Sequence, residues 1–391
     1  VTKKLAVIGA GTAGSQTILH LVKHFPDYEI EWYFDENIPT QSVGEGAPLN
    51  LPRNMSQNMG FNYHEHLPQV DGTLKTGILK QNWGEKNNSF FHEFPAPQVS
   101  MHFNAKKLQK FIYNNLKEKI SIHNEKTSHN IIDADYIVDC SGTPSDFVEY
   151  RDAEYIPVNS VYITQCYWDK PKFDYTLTIA RPHGWVFGIP LQNRCSIGYL
   201  YNNNISTIEE VEQDVKQVFD EWSLQPSEDT NWFSFKNYYK ETNFTERVCF
   251  NGNASFFLEP LEATSTAVMD NIQRSVYDII KGNIDIVKAN ERYTNQITEI
   301  QNMISMHYFA GSKFNTEFWA HAQNLGKNCI ENVMSKDSRF VEMYVNILQK
   351  RNIDECYGTN YEYGTWWVGS FVQNIQGLGI QQKLNQAVFK F

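Results

Sequence analysis

The feature that most constrains this chain is Gly9-Ala10-Gly11-Thr12-Ala13-Gly14, a G-x-G-x-x-G run closing one apolar segment and opening an amphipathic one. Lys4 to Ile8 (KLAVI) reads as a buried strand, and Ser15 to His24 as a helix with Ile18, Leu21 and Val22 on one face. Glu29 to Phe34 reads as a second strand. Strand, glycine turn, helix, strand is the opening of a doubly wound α/β domain. Glycine is needed because the backbone must turn tightly and bring N–H groups and a positive helix end against a pyrophosphate. Gly9, Ala10, Gly11, Thr12, Ala13 and Gly14 are therefore the candidate phosphate cradle. Asp35, after the second strand, is the candidate acceptor for a ribose diol. The motif alone does not separate NAD from FAD.

Further along, Ala105 to Lys119 reads as an amphipathic helix, and Asp135 to Val138 as a short buried strand. From Val158 to Tyr201 the pattern alternates, with Ser160–Cys166 and Tyr175–Ala180 as strands of an antiparallel sheet. Thr207 to Trp222 is a polar amphipathic helix. After Glu262 the chain reads as helical, over Ser265–Lys281, Ile284–Met306, Thr316–Met334 and Ser338–Gln349.

Composition closes off other classes. The 391 residues carry 34 Lys and Arg against 45 Asp and Glu, a net charge of −11, with no block of five basic residues. Phosphate contacts need clustered Lys and Arg, so nucleic acid is not the expected partner. No apolar stretch approaches the ~20 residues that span a bilayer, and no basic-then-apolar leader opens the sequence, so a cytoplasmic protein is expected. Six scattered cysteines (Cys140, Cys166, Cys195, Cys249, Cys329 and Cys356) offer no C-x-x-C and no zinc set, so no metal is expected. A homo-oligomer is the default expectation.

Several separate stretches then carry a more specific signal. Gly44-Glu45-Gly46 comes first, followed by Thr73-Leu74-Lys75-Thr76-Gly77-Ile78 and Trp83. Gly184-Trp185-Val186-Phe187-Gly188-Ile189-Pro190 comes next, then Gly252-Asn253-Ala254 and Glu259-Pro260-Leu261-Glu262-Ala263-Thr264-Ser265. His307-Tyr308 and Phe318-Trp319 complete the series. In this order they resemble the flavin-dependent tryptophan halogenase family. Asn253 stands where flavoproteins of the aromatic hydroxylase type have Asp. The chain departs from the family in Phe187, where the W-x-W-x-I-P signature has its second Trp, and in Ala263, where tryptophan-specific members have Ser. It is also trimmed between Glu125 and Ile131.

The resemblance implies a Rossmann-type FAD-binding domain of the aromatic-hydroxylase and halogenase kind, with a β-rich insert and a helical C-terminal substrate region. Residues 1–280 would form the FAD-binding core, with the insert at about 150–245, and residues 281–391 the helical part. The implied activity makes hypohalous acid from FADH2, oxygen and halide, and delivers it through Lys75 to an electron-rich, indole-like ring. Glu262 would orient Lys75 or accept the ring proton. Asp35, Ile38, Glu45, Gly252, Asn253 and Pro260 join the glycine cradle as FAD contacts. Thr264 and Ser265 would hold halide on backbone N–H groups. His92, Phe94, Trp185, Phe187, Trp366 and Trp367 would line the substrate site. With no second dinucleotide motif in the chain, FADH2 is expected from a separate flavin reductase. The alternatives are an FAD-dependent aromatic monooxygenase on the same fold, and a flavin-binding protein without catalysis.

Overall fold

The computed structural model describes residues 3–38, 45–85, 89–349 and 362–389; Gly44 and Cys356 lie outside them. The chain forms two compact units, each drawn from three stretches of sequence. The first comprises Val1–Leu74, Ser100–Asp152 and Tyr238–Asn295, and the second Lys75–Val99, Ala153–Asn237 and Gln296–Phe391.

The first unit is built on a five-stranded parallel sheet in the order Val248–Phe250, Tyr136–Asp139, Lys4–Ile8, Glu29–Phe34, Ser121–Asn124. Leu5 to Ile8 are all buried, the pattern of a strand covered on both faces. The helix predicted from Ser15 begins earlier, at Thr12, and runs to His24. Ala105–Leu116 is the second amphipathic helix: it buries Leu108, Phe111, Ile112 and Leu116, and the Asn104 side chain caps it by accepting from the Lys107 N–H. A three-stranded sheet of Tyr150–Asp152, Tyr238–Lys240 and Phe256–Phe257 also belongs to this unit.

The second unit carries a seven-stranded sheet in the order Gln225–Ser234, Ser160–Tyr167, Arg194–Tyr201, Gly184–Pro190, Thr176–Arg181, Gly77–Gln81, Ser89–Glu93. Every junction is antiparallel except Thr176–Arg181 against Gly77–Gln81. The predicted β segment therefore takes two of its strands from residues 77–93, far upstream. One face packs on the helix Ile208–Glu221, where Val211, Val215 and Val218 meet Leu177, Ile179, Val186 and Ile197. Each such side chain, fully buried, contributes about 1.5–3 kcal/mol. A Thr207–Glu210 capping box starts that helix.

The opposite face of the sheet carries Ile78, Lys80, Trp185 and Phe187, fixed there by strand alternation and pairing register. C-terminal helices cover it. The Trp83 ring packs edge-on against Trp319, at 5.4 Å between centroids, and against Tyr308 and His307. Trp319 donates from Nε1 to the Arg181 carbonyl at 2.7 Å. The helix Val368–Leu378 closes the edge strand: Gln373 accepts from the Glu93 N–H at 2.9 Å and donates back to its carbonyl. An edge so covered offers no template to a second strand.

Candidate active site

In the first unit the glycine run does what its spacing demands. Gly9 has φ +94°, and a Cβ there would sit 2.2 Å from the Cys140 carbonyl oxygen. A Cβ on Gly14 would lie 2.0 Å from the Gly9 oxygen, whereas Gly11 faces open space. The helix Thr12–His24 has Gly11 at its N-cap and no side-chain cap, so its first N–H groups are left to a ligand. Open space above Gly11 and an uncapped helix end fit the pyrophosphate of a dinucleotide cofactor such as FAD.

Around the cradle, Thr12 donates from its hydroxyl to Glu45 Oε1 at 2.7 Å. Desolvation pushes the Glu45 carboxyl up to about 6, against the opposing effect of that hydrogen bond. Asp35 lies just beyond Glu29–Phe34 and accepts from the backbone N–H and side-chain amide of Asn37. Ile38 is exposed. Gly252 has φ +60° and approaches Ala13 of the glycine run so closely that a Cβ would lie 2.6 Å from it. Asn253 donates weakly to Thr143, at 3.4 Å, and Pro260 is exposed. Asn251, which no sequence motif singles out, ties this turn together. Its Oδ1 accepts from the Gly252 N–H, its Nδ2 donates to Thr17 and the Met269 carbonyl, and its N–H donates to the Asp139 carbonyl.

Glu262 and Ala263 stand at φ +66° and +53°, two consecutive non-glycine residues in the left-handed region. Such strain persists only where the surroundings over-determine it, and it concentrates at functional sites. The helix Thr264–Ile280 starts immediately after, with no side-chain cap. Thr264 is buried and its hydroxyl has no hydrogen-bond partner among the described residues. Uncapped N–H groups of Thr264 and Ser265 are suited to a small anion.

The second unit holds Lys75 and the aromatic residues. Lys75 closes the strand Thr73–Lys75, is only 2% exposed, and lies with Nζ 5.6 Å from the Phe94 ring centroid. Phe94 is held by its N–H, which donates to the Thr76 carbonyl. His92 is buried beside Ser370, with Nε2 2.9 Å from Oγ, and its ring meets Trp366 edge-on at 5.9 Å. Trp185 is buried against Trp83 and Phe187. Phe187 lies across Gly198, where a Cβ would fall 2.2 Å from the ring. Trp366 is buried and Trp367 half-buried, in a short hairpin with Glu362–Tyr363. Lys75, Phe94, His92 and Trp366 thus belong to one unit, while Glu262, Thr264 and Ser265 belong to the cradle's unit.

A sequence profile described as tryptophan halogenase matches residues 4–127 and 107–381. The chain belongs to the tryptophan halogenase family. Tryptophan 6-halogenase ThaL of Streptomyces albogriseolus is 23% identical over 466 residues, covering 98% of this chain and 85% of that one. A tryptophan halogenase from Shewanella frigidimarina matches in structure with a TM-score of 0.78 at 16% identity, covering 100% of this chain and 93% of that one. BrvH, a flavin-dependent halogenase from Brevundimonas sp. BAL3, gives a TM-score of 0.76 at 16% identity, with 100% and 95% covered. At such identities the structural matches speak for the fold. This halogenase-family chain therefore has the mixed α/β fold expected for it, with a parallel sheet at its N-terminal strand. Among the described residues no helix is long and apolar enough to cross a membrane.

Proposed function

We propose that this protein is a halogenase that makes hypohalous acid from FADH2, oxygen and halide and delivers it through Lys75 to an electron-rich, indole-like ring. The observation that carries the reading is family membership together with the place of Lys75, buried with its Nζ 5.6 Å from the Phe94 ring centroid in the segment that resembles the family's lysine segment. Gly9, Gly11, Gly14, Asp35, Glu45, Gly252 and Asn253 would hold FAD, together with the Thr12–His24 helix end. When bound and reduced, FAD would supply two electrons to oxygen and the halide the other two, so that the two oxygen atoms end in hypohalous acid and water. Thr264 and Ser265 would offer backbone N–H groups to the halide.

Lys75 would hold hypohalous acid by N–H donation, keeping a diffusible oxidant next to one ring position. As the carbon–halogen bond forms, the departing hydroxide would take a proton from the Lys75 ammonium and leave as water, and Glu262 would accept the proton lost from the ring carbon, so that solvent exchange restores both groups. His92, Phe94, Trp366 and Trp367 would stack on the substrate, and Trp185 and Phe187 would wall it off from the cofactor. A separate reductase would supply FADH2, and the protein would act beside it in the cytoplasm.

The test supplies FAD, a flavin reductase, NADH, oxygen and bromide to the protein with a panel of indoles and phenols. Mass spectrometry should find brominated product that Lys75→Ala loses, while FAD affinity stays unchanged. A product heavier by one oxygen, formed without bromide and retained in Lys75→Ala, would instead identify an aromatic monooxygenase.

A further inference from the structure

A buried lysine backs the aromatic residues of the second unit. Lys80 is 0% exposed and shares a sheet face with Ile78 and with their strand partners His92 and Phe90. Its Nζ donates to His307 Nε2 at 2.7 Å and to Asn374 Oδ1, and lies 5.6 Å from the Trp366 ring centroid and 5.4 Å from that of Phe90. A carbonyl only accepts, so His307 Nδ1, 2.9 Å from the Met303 oxygen, carries the ring proton and leaves Nε2 as acceptor for Lys80.

Two routes run from Lys80 to His92. The polar route passes through Asn374, whose Nδ2 donates to the Ser370 carbonyl at 2.9 Å, and then Ser370 Oγ, 2.9 Å from His92 Nε2. The ring route passes through Trp366, which is edge-on to both His307, at 5.6 Å, and His92, at 5.9 Å. Burying an amine is expensive, and a methionine would fill the same space without that cost. What the amine adds is direction: fixed donors to His307 and Asn374, with Nζ set against the Trp366 ring.

We propose that Lys80 is a positioning residue that fixes the Trp366 and His92 rings before an aromatic substrate enters, and so determines which ring atom is presented for attack. This rests on the halogenase reading above, in which His92 and Trp366 touch substrate.

The test compares Lys80→Met, Ser370→Ala and Ser370→Thr with the wild type, using indole as probe with bromide, FAD and a reductase. Histidine 15N resonances are recorded in parallel on the protein without substrate. Lys80→Met should raise KM for indole about tenfold and broaden the product isomer ratio, with kcat changed less than about threefold. It should also shift the His92 resonances. Ser370→Ala should reproduce the KM effect and Ser370→Thr restore it. Wild-type KM and isomer ratio in Lys80→Met would overturn the proposal. If Lys80→Met does not fold, the Ser370 pair decides by the same criterion. If the wild type brominates no ring, the halogenase reading has failed by itself. The histidine spectra then decide: unchanged His92 resonances in Lys80→Met sink the positioning role, and shifted ones support it.

Discussion

Replacing Glu45 by Gln should change how the stability of this protein depends on pH. The Glu45 carboxyl stands at about 6 against an ordinary 4.5, because its surroundings desolvate the anion more than the Thr12 hydroxyl compensates. Between these two values the folded chain holds a proton that the unfolded chain has released. Stability must then fall as pH rises through the window, and level off above about 6. At about 1.4 kcal/mol per pH unit of displacement, the whole effect is about 2 kcal/mol. Glutamine keeps an acceptor for Thr12 and cannot ionise, so every other titrating group cancels in the comparison. Urea unfolding of both proteins from about pH 4.5 to about 7.5 should show the variant gaining about 2 kcal/mol relative to the wild type. A difference constant to within about 0.5 kcal/mol, or one of opposite sign, would refute the assignment of a desolvated carboxyl beside the cradle.

Two further outcomes follow from local geometry. Gly14→Ala should weaken FAD binding by at least about tenfold in a flavin fluorescence titration, because the new Cβ would fall 2.0 Å from the Gly9 oxygen and must displace the turn. Asp214→Ala should cost about 3–5 kcal/mol in unfolding measurements, since it strands the buried Arg181 guanidinium, now held by two bonds to this carboxylate, and removes the acceptor of the Tyr199 hydroxyl.

Local rules make much of the fold legible in the sequence. KLAVI is apolar at nearly every position because a central parallel strand is covered on both faces, and the glycine spacing follows from backbone contacts between Gly9, Gly14 and Cys140. The face made by Leu108, Phe111, Ile112 and Leu116 is the face the helix buries. The strand Gln225–Ser234 left no such trace. It is an exposed edge whose side chains nearly all meet water, so QPSEDTNWFS shows no alternation to read.

The site divides along the same line. The glycine run could be named because it answers a local demand for close backbone approach, whereas Lys75, Glu262, Thr264 and Ser265 took their roles from the resemblance to the family. Lys80 and Asn251 escaped because their meaning lies in partners far along the chain, His307 and Asn374 for one, Thr17 and Met269 for the other. A lysine two positions from Ile78, on the inward face of a strand, was the available clue, and it has no force until the covering helices are known.

The sequence by itself determined the parallel opening and its glycine turn, which depend on spacing over a few tens of residues, and the family, which rests on the order of short motifs from Glu45 to Trp319. Only the tertiary structure decided that two compact units are each assembled from three separate stretches, that residues 77–93 supply strands to a sheet otherwise formed by residues 160–234, and that Lys80 sits against Trp366. The physical reason is that strand pairing and side-chain packing are set by the free energy of the assembled core. Residues hundreds of positions apart share that core, and a local pattern cannot encode the register in which they meet.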